Sequence, residues 1–379
     1  MHLLLISPYH SGSHQAWAEG YRRYSQHQVD LLTLPGRFWK WRMHGGAVTL
    51  ARLYREQYAS EPPDVILATD MLDLSTFMAL TRDLTHNVAT GLYMHENQLT
   101  YPLPAEPGRG PMRRQRGERD YHYVFVNYAS MLTADFILFN SHFHQQALLA
   151  ALPNFLKHFP DFNELDSLTA LAAKSRVLPV GVDFERLQRP LPPLPNPDAP
   201  PLIIWNQRWE YDKNPRAFFR ALYQMQAEGL PFRLALCGER FSRQPDYFDQ
   251  ALERLAPHLV HVGFAENDTY RELLWEAAVT ISTAHHEFFG ISILEAIYCH
   301  TFPILPHRLS YPELIPEPFH LKCLYESESG LVQRLRQALT QPPETAVAAQ
   351  QLAAHVAQYD WRQVAARYDA GWRSSGVTE

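Results

Sequence analysis

Short apolar segments alternate with longer stretches of helical pattern twice along this chain of 379 residues, and a proline-rich segment separates the two series. Strand-like runs occupy residues 3–6, 29–34, 65–68, 88–94, 136–139 and 176–178 in the first series. In the second series they occupy 202–205, 232–237, 259–262, 279–282, 302–305 and 321–324. Such alternation predicts parallel β-sheets covered on both faces by helices, for example a helix over 46–58. Because a chain of this length exceeds what one core supports, we predict two such α/β domains.

The proline-rich segment marks the predicted domain boundary. Residues 189–201 have the sequence Arg-Pro-Leu-Pro-Pro-Leu-Pro-Asn-Pro-Asp-Ala-Pro-Pro, which favours a stiff extended linker. The predicted organisation is a Rossmann-like domain over 1–188, this linker, a second Rossmann-like domain over 202–355 and a C-terminal segment over 356–379. An amphipathic helix over 361–372 either packs back across the domain junction or covers its own domain. Two such sheets predict a ligand cleft at the carboxyl ends of their strands.

Composition narrows the class of protein. The net charge of −6 argues against indiscriminate nucleic-acid binding but leaves room for a local basic patch. Cys237, Cys299 and Cys323 are widely spaced in apolar segments, which predicts reduced thiols in a cytoplasmic protein. The apolar run 3–6 meets Ser7 and Pro8 at once, with no basic residues before it, so we expect neither a signal peptide nor a membrane anchor.

Several cofactor motifs are missing from the sequence. No Asp-x-Asp follows a strand to hold a divalent cation, and the 19 histidines show no His-Glu-x-x-His spacing. Neither a Gly-x-Gly-x-x-Gly nor a Walker sequence is present, which disfavours dinucleotide-dependent and P-loop enzymes. We therefore expect a metal-independent protein.

The strongest motif is His-His-Glu-Phe-Phe-Gly-Ile-Ser-Ile-Leu-Glu-Ala, which begins at His285 and places Glu287 and Glu295 eight residues apart. A predicted strand precedes it and a predicted helix over 291–298 follows. Backbone groups of Phe289, Gly290 and Ile291 would then form a helix N-terminus that favours a phosphate. The two carboxylates can accept hydrogen bonds from sugar and ribose hydroxyls; alternatively they are surface carboxylates near a helix start.

Three further stretches follow predicted strands. In Trp-Asn-Gln-Arg-Trp-Glu-Tyr-Asp-Lys-Asn-Pro, Arg208 and Lys213 can neutralise a pyrophosphate as a fork and a point charge, or they are solvated surface cations. Gly12, in Ser-Pro-Tyr-His-Ser-Gly-Ser-His, either permits close approach of a ligand or serves a turn and helix cap.

The third stretch, Tyr-Met-His-Glu-Asn-Gln-Leu-Thr-Tyr-Pro, ends the fourth predicted strand. His95 is a candidate for sugar hydroxyls or the leaving phosphate, and Glu96 or Asn97 for the acceptor. Polar capping of a loop is the alternative. Asn140 and Ser141 occupy a similar position after the fifth strand.

Two basic segments suggest an RNA partner on this acidic chain. Residues 37–42 interleave aromatic and cationic side chains that can stack on bases while contacting phosphates; the candidates are Arg37, Trp39, Lys40, Trp41 and Arg42. Residues 109–119 hold five arginines, from which Arg113, Arg114 and Arg116 are candidates. A half-buried aromatic turn and a solvated loop are the alternatives.

The motif from His285 to Ala296 resembles the Glu-x7-Glu signature of retaining GT-B glycosyltransferases of family 4, which consist of two Rossmann-like domains facing a central cleft. In that family the first glutamate binds hydroxyls of the transferred sugar and the second binds the donor ribose, roles that the resemblance gives to Glu287 and Glu295. Arg208 and Lys213 match a comparable Arg-x4-Lys, and the Gly12 loop resembles the glycine loop near the donor phosphates.

The stretches around Gly12, residues 34–42, His95, Asn140 and Arg208 together resemble the tRNA-queuosine mannosyltransferase family, over the chain up to about residue 300. This resemblance implies transfer of mannose from GDP-mannose, as co-substrate and without a further cofactor, to the cyclopentenediol of queuosine in the anticodon of tRNA-Asp. It also implies acceptor binding by residues 1–188 and donor binding by 202–355.

Three other functions fit the residues. A GT-B glycosyltransferase could act on a lipid, polysaccharide or small-molecule acceptor, a noncatalytic protein on the same fold could only bind tRNA, and a hydrolytic relative would split its donor without an RNA acceptor. No side-chain nucleophile is evident in the sequence. We therefore expect the departing phosphate oxygen to take the proton of the acceptor hydroxyl.

Overall fold

The computed structural model of the protein describes residues 1–103, 119–189, 199–238 and 246–374. It divides into two compact units: unit 1 combines Met1–Val182 with the chain from Tyr359, and unit 2 is Asp183–Gln358. Residues 183–188, predicted as the end of the first domain, belong to unit 2 because Trp275 Nε1 donates to Leu187 O at 2.7 Å and Phe184 stacks on Tyr298. Most of the predicted linker lies outside the described residues.

Unit 1 contains a six-stranded parallel sheet in the order β2-β1-β3-β4-β5-β6. Its strands are β1 (His2–His10), β2 (Gln28–Pro35), β3 (Val65–Thr69), β4 (Ala89–Met94), β5 (Phe136–Phe139) and β6 (Ser175–Val177). Its covering helices are α1 (Gly12–Tyr24), α2 (Trp39–Tyr58), α3 (Leu74–Thr85), α4 (Tyr121–Thr133), α5 (His142–Leu156) and α6 (Ser167–Ala173). Because helices cover both faces, the central strands can be buried at every position, as β3 is.

Unit 2 repeats the architecture with the strand order β12-β11-β10-β7-β8-β9. Its strands are β7 (Leu202–Asn206), β8 (Arg233–Cys237), β9 (Leu259–Gly263), β10 (Ala277–Ile281), β11 (Phe302–Pro306) and β12 (Leu324–Tyr325). Its helices are α7 (Pro215–Ala227), α8 (Asp246–Arg254), α9 (Asn267–Glu276), α10 (Ile291–Tyr298), α11 (Tyr311–Leu314), α12 (His320–Cys323), α13 (Glu328–Thr340) and α14 (Pro342–Val356).

Two predicted elements were wrong in their bounds or type. The predicted strand over 321–324 is mostly α12, which the His320 ring fixes through Nε2 contacts with the carbonyl oxygens of Pro312 and Ile315. The helix predicted over 46–58 begins at Trp39, because Phe38, with a φ of 57°, turns the chain directly into the first helical turn. The aromatic segment is therefore largely helical.

The C-terminal helix α15 (Trp361–Ser374) follows unit 2 in the sequence, but it belongs to unit 1 and packs there against α1. Trp17 Nε1 donates to Tyr368 Oη at 2.9 Å, and Tyr21 Oη donates to Asp369 Oδ1 at 2.8 Å. The indole of Trp361 fills the space in which a Cβ at Gly20 would lie. Glycine at that position therefore allows the helix to approach closely.

None of the helices in the described ranges combines the length and the apolarity that a membrane crossing requires. All three cysteines are free and buried. Within the same part of the chain, no group of three or more His, Cys, Asp or Glu residues could hold a metal ion.

Candidate functional site

The motif of two glutamates connects β10 to α10 in unit 2. Gly290 immediately precedes α10 with a φ of 111°, and a Cβ there would lie only 3.2 Å from Leu314 Cδ1. Both facts favour glycine, because other residues are strained at this φ and their Cβ would lie too close to Leu314. Ser310 Oγ donates to Phe289 O at 2.8 Å and fixes the turn. The helix N-terminus at Ile291 therefore has a defined position beside Glu287.

Lys213 lies at the centre of a buried charge cluster beside this turn. Its Nζ is 3.4 Å from Glu287 Oε2, 3.1 Å from Asp212 Oδ2 and 3.0 Å from His286 O. Lys213 ends a short 3-10 helix over Tyr211–Lys213, and Pro215 starts α7 directly after it. Since β7 and β10 are neighbours, the sheet brings together two motifs that are far apart in sequence.

The electrostatics of this cluster keep Lys213 charged and His286 neutral. Burial lowers the pKa of Lys213, but the charges of Glu287 and Asp212 outweigh it and leave the pKa above its usual value. Burial, with the Lys213 charge second, lowers the pKa of His286 to about 4. At neutral pH the cluster therefore presents a single ammonium between two acidic side chains.

Arg208 adds an exposed cation to the same cluster. Its side chain is 57% exposed and its Nη2 is 3.3 Å from Glu210 Oε2. Burial raises the pKa of Glu210, although the Arg208 charge lowers it in part. The charge of Arg208 also lowers the pKa of Lys213 in part. Together the two cations can hold a dianionic group.

Glu295 occupies a separate, more enclosed position in α10. Its carboxylate accepts hydrogen bonds from Arg186 and from Tyr270 Oη, the latter at 2.8 Å. Asn206 Nδ2 completes the network by donating to Tyr270 Oη at 3.0 Å and to Ser292 O at 2.8 Å. Burial, followed by the Glu295 charge, raises the pKa of Tyr270 well above its usual value, so the phenol remains a donor.

In unit 1, His95 is held in place at the carboxyl ends of β3, β4 and β5. The backbone N–H of His95 donates to Asp70 Oδ1 at 2.8 Å, and its backbone carbonyl accepts from Asn140 Nδ2 at 2.9 Å. Its ring lies 4.4 Å from the His14 ring and 4.7 Å from the Trp17 ring. The Gly12 loop and the His95 stretch, identified separately in the sequence, therefore meet.

The His95 imidazole is neutral at physiological pH. Burial, with the charges of His14 and His144 adding to it, lowers the pKa of His95 well below its usual value. Its buried Nε2 has no hydrogen-bond partner among the described residues. Burial, followed by the Glu96 charge, raises the pKa of Asp70 well above its usual value. The His95 ring thus has one nitrogen available for a substrate hydroxyl.

The other predicted residues of unit 1 differ in their burial and in their hydrogen-bond partners. Asn97 is buried, and its Oδ1 accepts from Leu99 N and Thr100 N at 3.1 and 2.8 Å, so it fixes its own loop. Glu96 is half-buried and accepts from Gln98 Nε2 at 3.1 Å. Gly12, with a φ of 52°, faces open space at the start of α1.

The aromatic and basic residues of the 37–42 segment are displayed on the surface. Phe38 is 73% and Trp41 61% exposed. Lys40 Nζ lies 5.5 Å from the centroid of the Trp39 ring, and Arg42 Nε donates to Pro35 O at 3.1 Å. Arg37 is also exposed, whereas Arg113, Arg114 and Arg116 lie outside the described residues. Flat ring faces beside cations thus form one surface, which we name the aromatic-basic surface (residues 37–42).

Comparison with known proteins identifies the family. The family described as "tRNA-queuosine alpha-mannosyltransferase N-terminal" matches residues 2–182, and "Glycosyl transferases group 1" matches residues 191–354. The tRNA-queuosine alpha-mannosyltransferase of Drosophila melanogaster is 33% identical over 344 residues, covering 88% of this chain and 86% of that protein. The chain belongs to the tRNA-queuosine alpha-mannosyltransferase family. The resemblance seen in the sequence is confirmed.

Solved structures confirm the fold class of this family member. Sucrose-phosphate synthase from Thermosynechococcus elongatus superposes with a TM-score of 0.72 at 13% identity, covering 99% of each chain. The catalytic domain of starch synthase IV from Arabidopsis thaliana superposes with a TM-score of 0.75 at 10% identity, covering 100% of each chain. At such identities the likeness concerns the fold alone, and that fold is GT-B with two Rossmann-like parallel sheets.

Several residues of the groups around His95, Lys213 and Glu295 were not identified from the sequence. Asp70 directly follows β3, just as His95 follows β4, so its position after a buried strand was the available signal. Asp212 lies in the Arg208 stretch, but the sequence indicates no role for it. Arg186 and Tyr270 carry no local signal, because only the packed unit brings them to Glu295.

Proposed function

We propose that the protein transfers mannose from GDP-mannose to queuosine in the anticodon of tRNA-Asp, with retention of configuration and without a metal ion. The observation that carries the proposal is the cluster of Lys213, Arg208 and Glu287 beside the N-terminus of α10, in a member of this family. Cations and a helix dipole stabilise a departing nucleoside diphosphate, and a carboxylate can bind the hydroxyls of the sugar that is transferred.

On the donor side, we assign the diphosphate to Arg208, Lys213 and the backbone around Phe289, Gly290 and Ile291. Arg208 is exposed and can fold onto a phosphate, while Lys213 is fixed by its two carboxylate neighbours. Glu287, whose side chain is partly exposed, accepts a hydrogen bond from a sugar hydroxyl. We assign the ribose to Glu295, where it would replace or join Arg186.

The chemical step follows from these assignments. The acceptor hydroxyl oxygen forms a bond to the anomeric carbon on the face that the leaving group vacates, and the bond from that carbon to the diphosphate oxygen breaks. The departing diphosphate oxygen takes the hydroxyl proton. Arg208 and Lys213 stabilise the charge that develops on the leaving group. In unit 1, we assign the neutral His95 ring to a substrate hydroxyl and Glu96 to the acceptor.

On the acceptor side, we assign tRNA to the aromatic-basic surface. Exposed Phe38 and Trp41 offer faces for base stacking, and Arg37 and Lys40 offer charges for phosphates. The charge of the whole chain is negative, so this local positive surface gives RNA binding a defined position. Arg113, Arg114 and Arg116 remain part of the proposed acceptor site on the basis of the sequence.

The experiment that tests the proposal combines purified protein with GDP-mannose, GDP-glucose or UDP-glucose and with queuosine-containing tRNA, in EDTA. Digestion and mass spectrometry should show a hexose mass gain on the queuosine nucleoside with GDP-mannose, and NMR of the product should show the donor's anomeric configuration. Glu287→Gln should lose transfer while it still binds tRNA, and Trp41→Ala should weaken tRNA binding while it still binds GDP.

The opposite results are equally specific. Tight tRNA binding with no mass gain from any donor would favour a noncatalytic protein, and donor cleavage without transfer would favour a hydrolase. Transfer only to a lipid or saccharide would refute the RNA acceptor. Full transfer by Glu287→Gln would remove the assignment of that carboxylate.

A further inference from the structure

One buried carboxamide in unit 2 lacks hydrogen bonds to the described residues. Gln207 directly follows β7 and is only 5% exposed. Neither its Nε2 nor its Oε1 has a hydrogen-bond partner within the part of the chain that the structure describes. A buried amide without partners destabilises the protein that contains it. Such a side chain is therefore expected to serve something other than packing.

The neighbouring residue shows that this edge of the sheet can satisfy an amide. Asn206 is also buried, and its Nδ2 donates both to Tyr270 Oη and to Ser292 O. Two consecutive amides therefore differ: the protein holds one of them and leaves the other open. Asn206 is the last residue of β7 and contacts the Glu295 network through Tyr270, whereas Gln207 lies after the strand.

The Gln207 amide lies beside the start of α10. Burial, followed by the Glu287 charge, raises the pKa of Tyr311 well above its usual value. The Gln207 amide lowers that pKa in part, so it approaches the Tyr311 hydroxyl, but without the geometry of a hydrogen bond. The Tyr311 hydroxyl is fixed by Ser282 Oγ at 2.6 Å. The Cε1 atom of the same ring lies 3.6 Å from where a Cβ on Gly290 would be. Tyr311 is thus a neighbour of both the Gln207 amide and the helix N-terminus at Gly290. Gln207 also directly precedes Arg208 in the sequence.

We propose that Gln207 Nε2 donates a hydrogen bond to a phosphate oxygen of the bound nucleoside diphosphate, as a neutral third donor beside Arg208 and Lys213. This inference rests on the proposed function, because it presupposes that unit 2 binds a nucleotide sugar. A phosphate oxygen is a strong acceptor, and hydrogen bonds to charged groups are the stronger ones. A further cation buried at this position would need its own counter-charge when the site is empty, whereas an amide does not.

The test measures GDP affinity and thermal stability of the full chain together. In Gln207→Leu the dissociation constant for GDP should rise about 10-fold to 100-fold, as expected for loss of a hydrogen bond to a charged group. The unfolding midpoint of the ligand-free variant should rise by about 2–4 °C, because an unsatisfied amide has been removed. A purely structural glutamine would give the opposite sign for stability. Gln224→Leu, an exposed glutamine on α7, is the matched control and should change neither quantity.

A second variant tests the phosphate assignment directly. Gln207→Glu keeps the shape but adds a negative charge, so GDP should bind still more weakly than in Gln207→Leu. Wild-type GDP affinity in Gln207→Leu would overturn the inference, as would a loss confined to GDP-mannose, which would place the amide on the sugar. If Gln207→Leu binds GDP as tightly as the wild type and Gln224→Leu do, only the inference fails; if the wild type binds no nucleoside diphosphate, the proposed function fails with it.

Discussion

Replacing Lys213 with methionine keeps the volume of the side chain but removes the cation from between two acids. Asp212 is almost fully buried and 3.1 Å from Lys213 Nζ, whereas Glu287 is partly exposed and 3.4 Å away. Removing one partner of a buried ion pair costs about 3–5 kcal/mol, because the remaining charge is left uncompensated. Water can reach Glu287 but not Asp212, so we expect most of the lost stability to arise at Asp212.

A double-mutant cycle separates this stability effect from the catalytic one. Adding Asp212→Asn to Lys213→Met removes the uncompensated charge, and the double variant should recover about 0.5–3 kcal/mol of the free energy of unfolding. Transfer should not recover, because the leaving diphosphate still lacks one fixed cation; loss of such a group lowers kcat about 10²–10³-fold. Chemical denaturation followed by circular dichroism gives the stability, and mass spectrometry of the tRNA gives the rate.

Two results would refute the reasoning. If Lys213→Met is as stable as the wild type, the two carboxylates do not depend on the ammonium. If the double variant transfers hexose at the wild-type rate, Lys213 has only a structural role and the diphosphate is held by other groups. Arg208→Met serves as the control, since its exposed side chain should affect donor binding with little change in stability.

Two further predictions concern stability. Because the pKa of His286 is lowered to about 4 in the folded chain, the unfolded chain binds more protons as pH falls from 6.5 to 4, and stability is lost in that window by about 2 kcal/mol at pH 5. His286→Gln should therefore show a shallower fall between pH 7 and 5 in denaturant titrations, and an unchanged slope would contradict the assignment. Gly20→Ala should cost about 1–3 kcal/mol by overlap with Trp361, whereas Gly371→Ala, with open space around it, should be neutral or stabilising in the same denaturant titrations.

The alternation of apolar runs predicted the two parallel sheets because strands buried on both faces carry an unambiguous signal. The same signal fails for short segments. Residues 321–324 are apolar enough for a strand, yet 321–323 belong to α12, where the His320 ring contacts the carbonyl oxygen of Ile315. The start of α2 was missed for a different reason. The tryptophans of this segment have only an intermediate helix preference, and the turn at Phe38 starts the helix at Trp39.

The two clusters were predictable in their charged members but not in their partners. Arg208, Lys213 and Glu287 follow strands, and a parallel sheet necessarily gathers such residues at one edge. Burial and hydrogen bonding depend instead on neighbours from other parts of the chain, as Arg186 and Tyr270 show for Glu295.

Gln207 is the sharpest case of this limit. In the sequence, Asn206 and Gln207 are adjacent amides of almost equal chemistry, and nothing local distinguishes them. Packing gives Asn206 two partners and leaves Gln207 with none among the described residues. An unsatisfied buried amide lowers the stability of the empty protein, so its presence is explained only if a bound group supplies the missing acceptor. It follows that candidates for ligand contact are found by which polar atoms the fold fails to satisfy as well as by which residues carry charge.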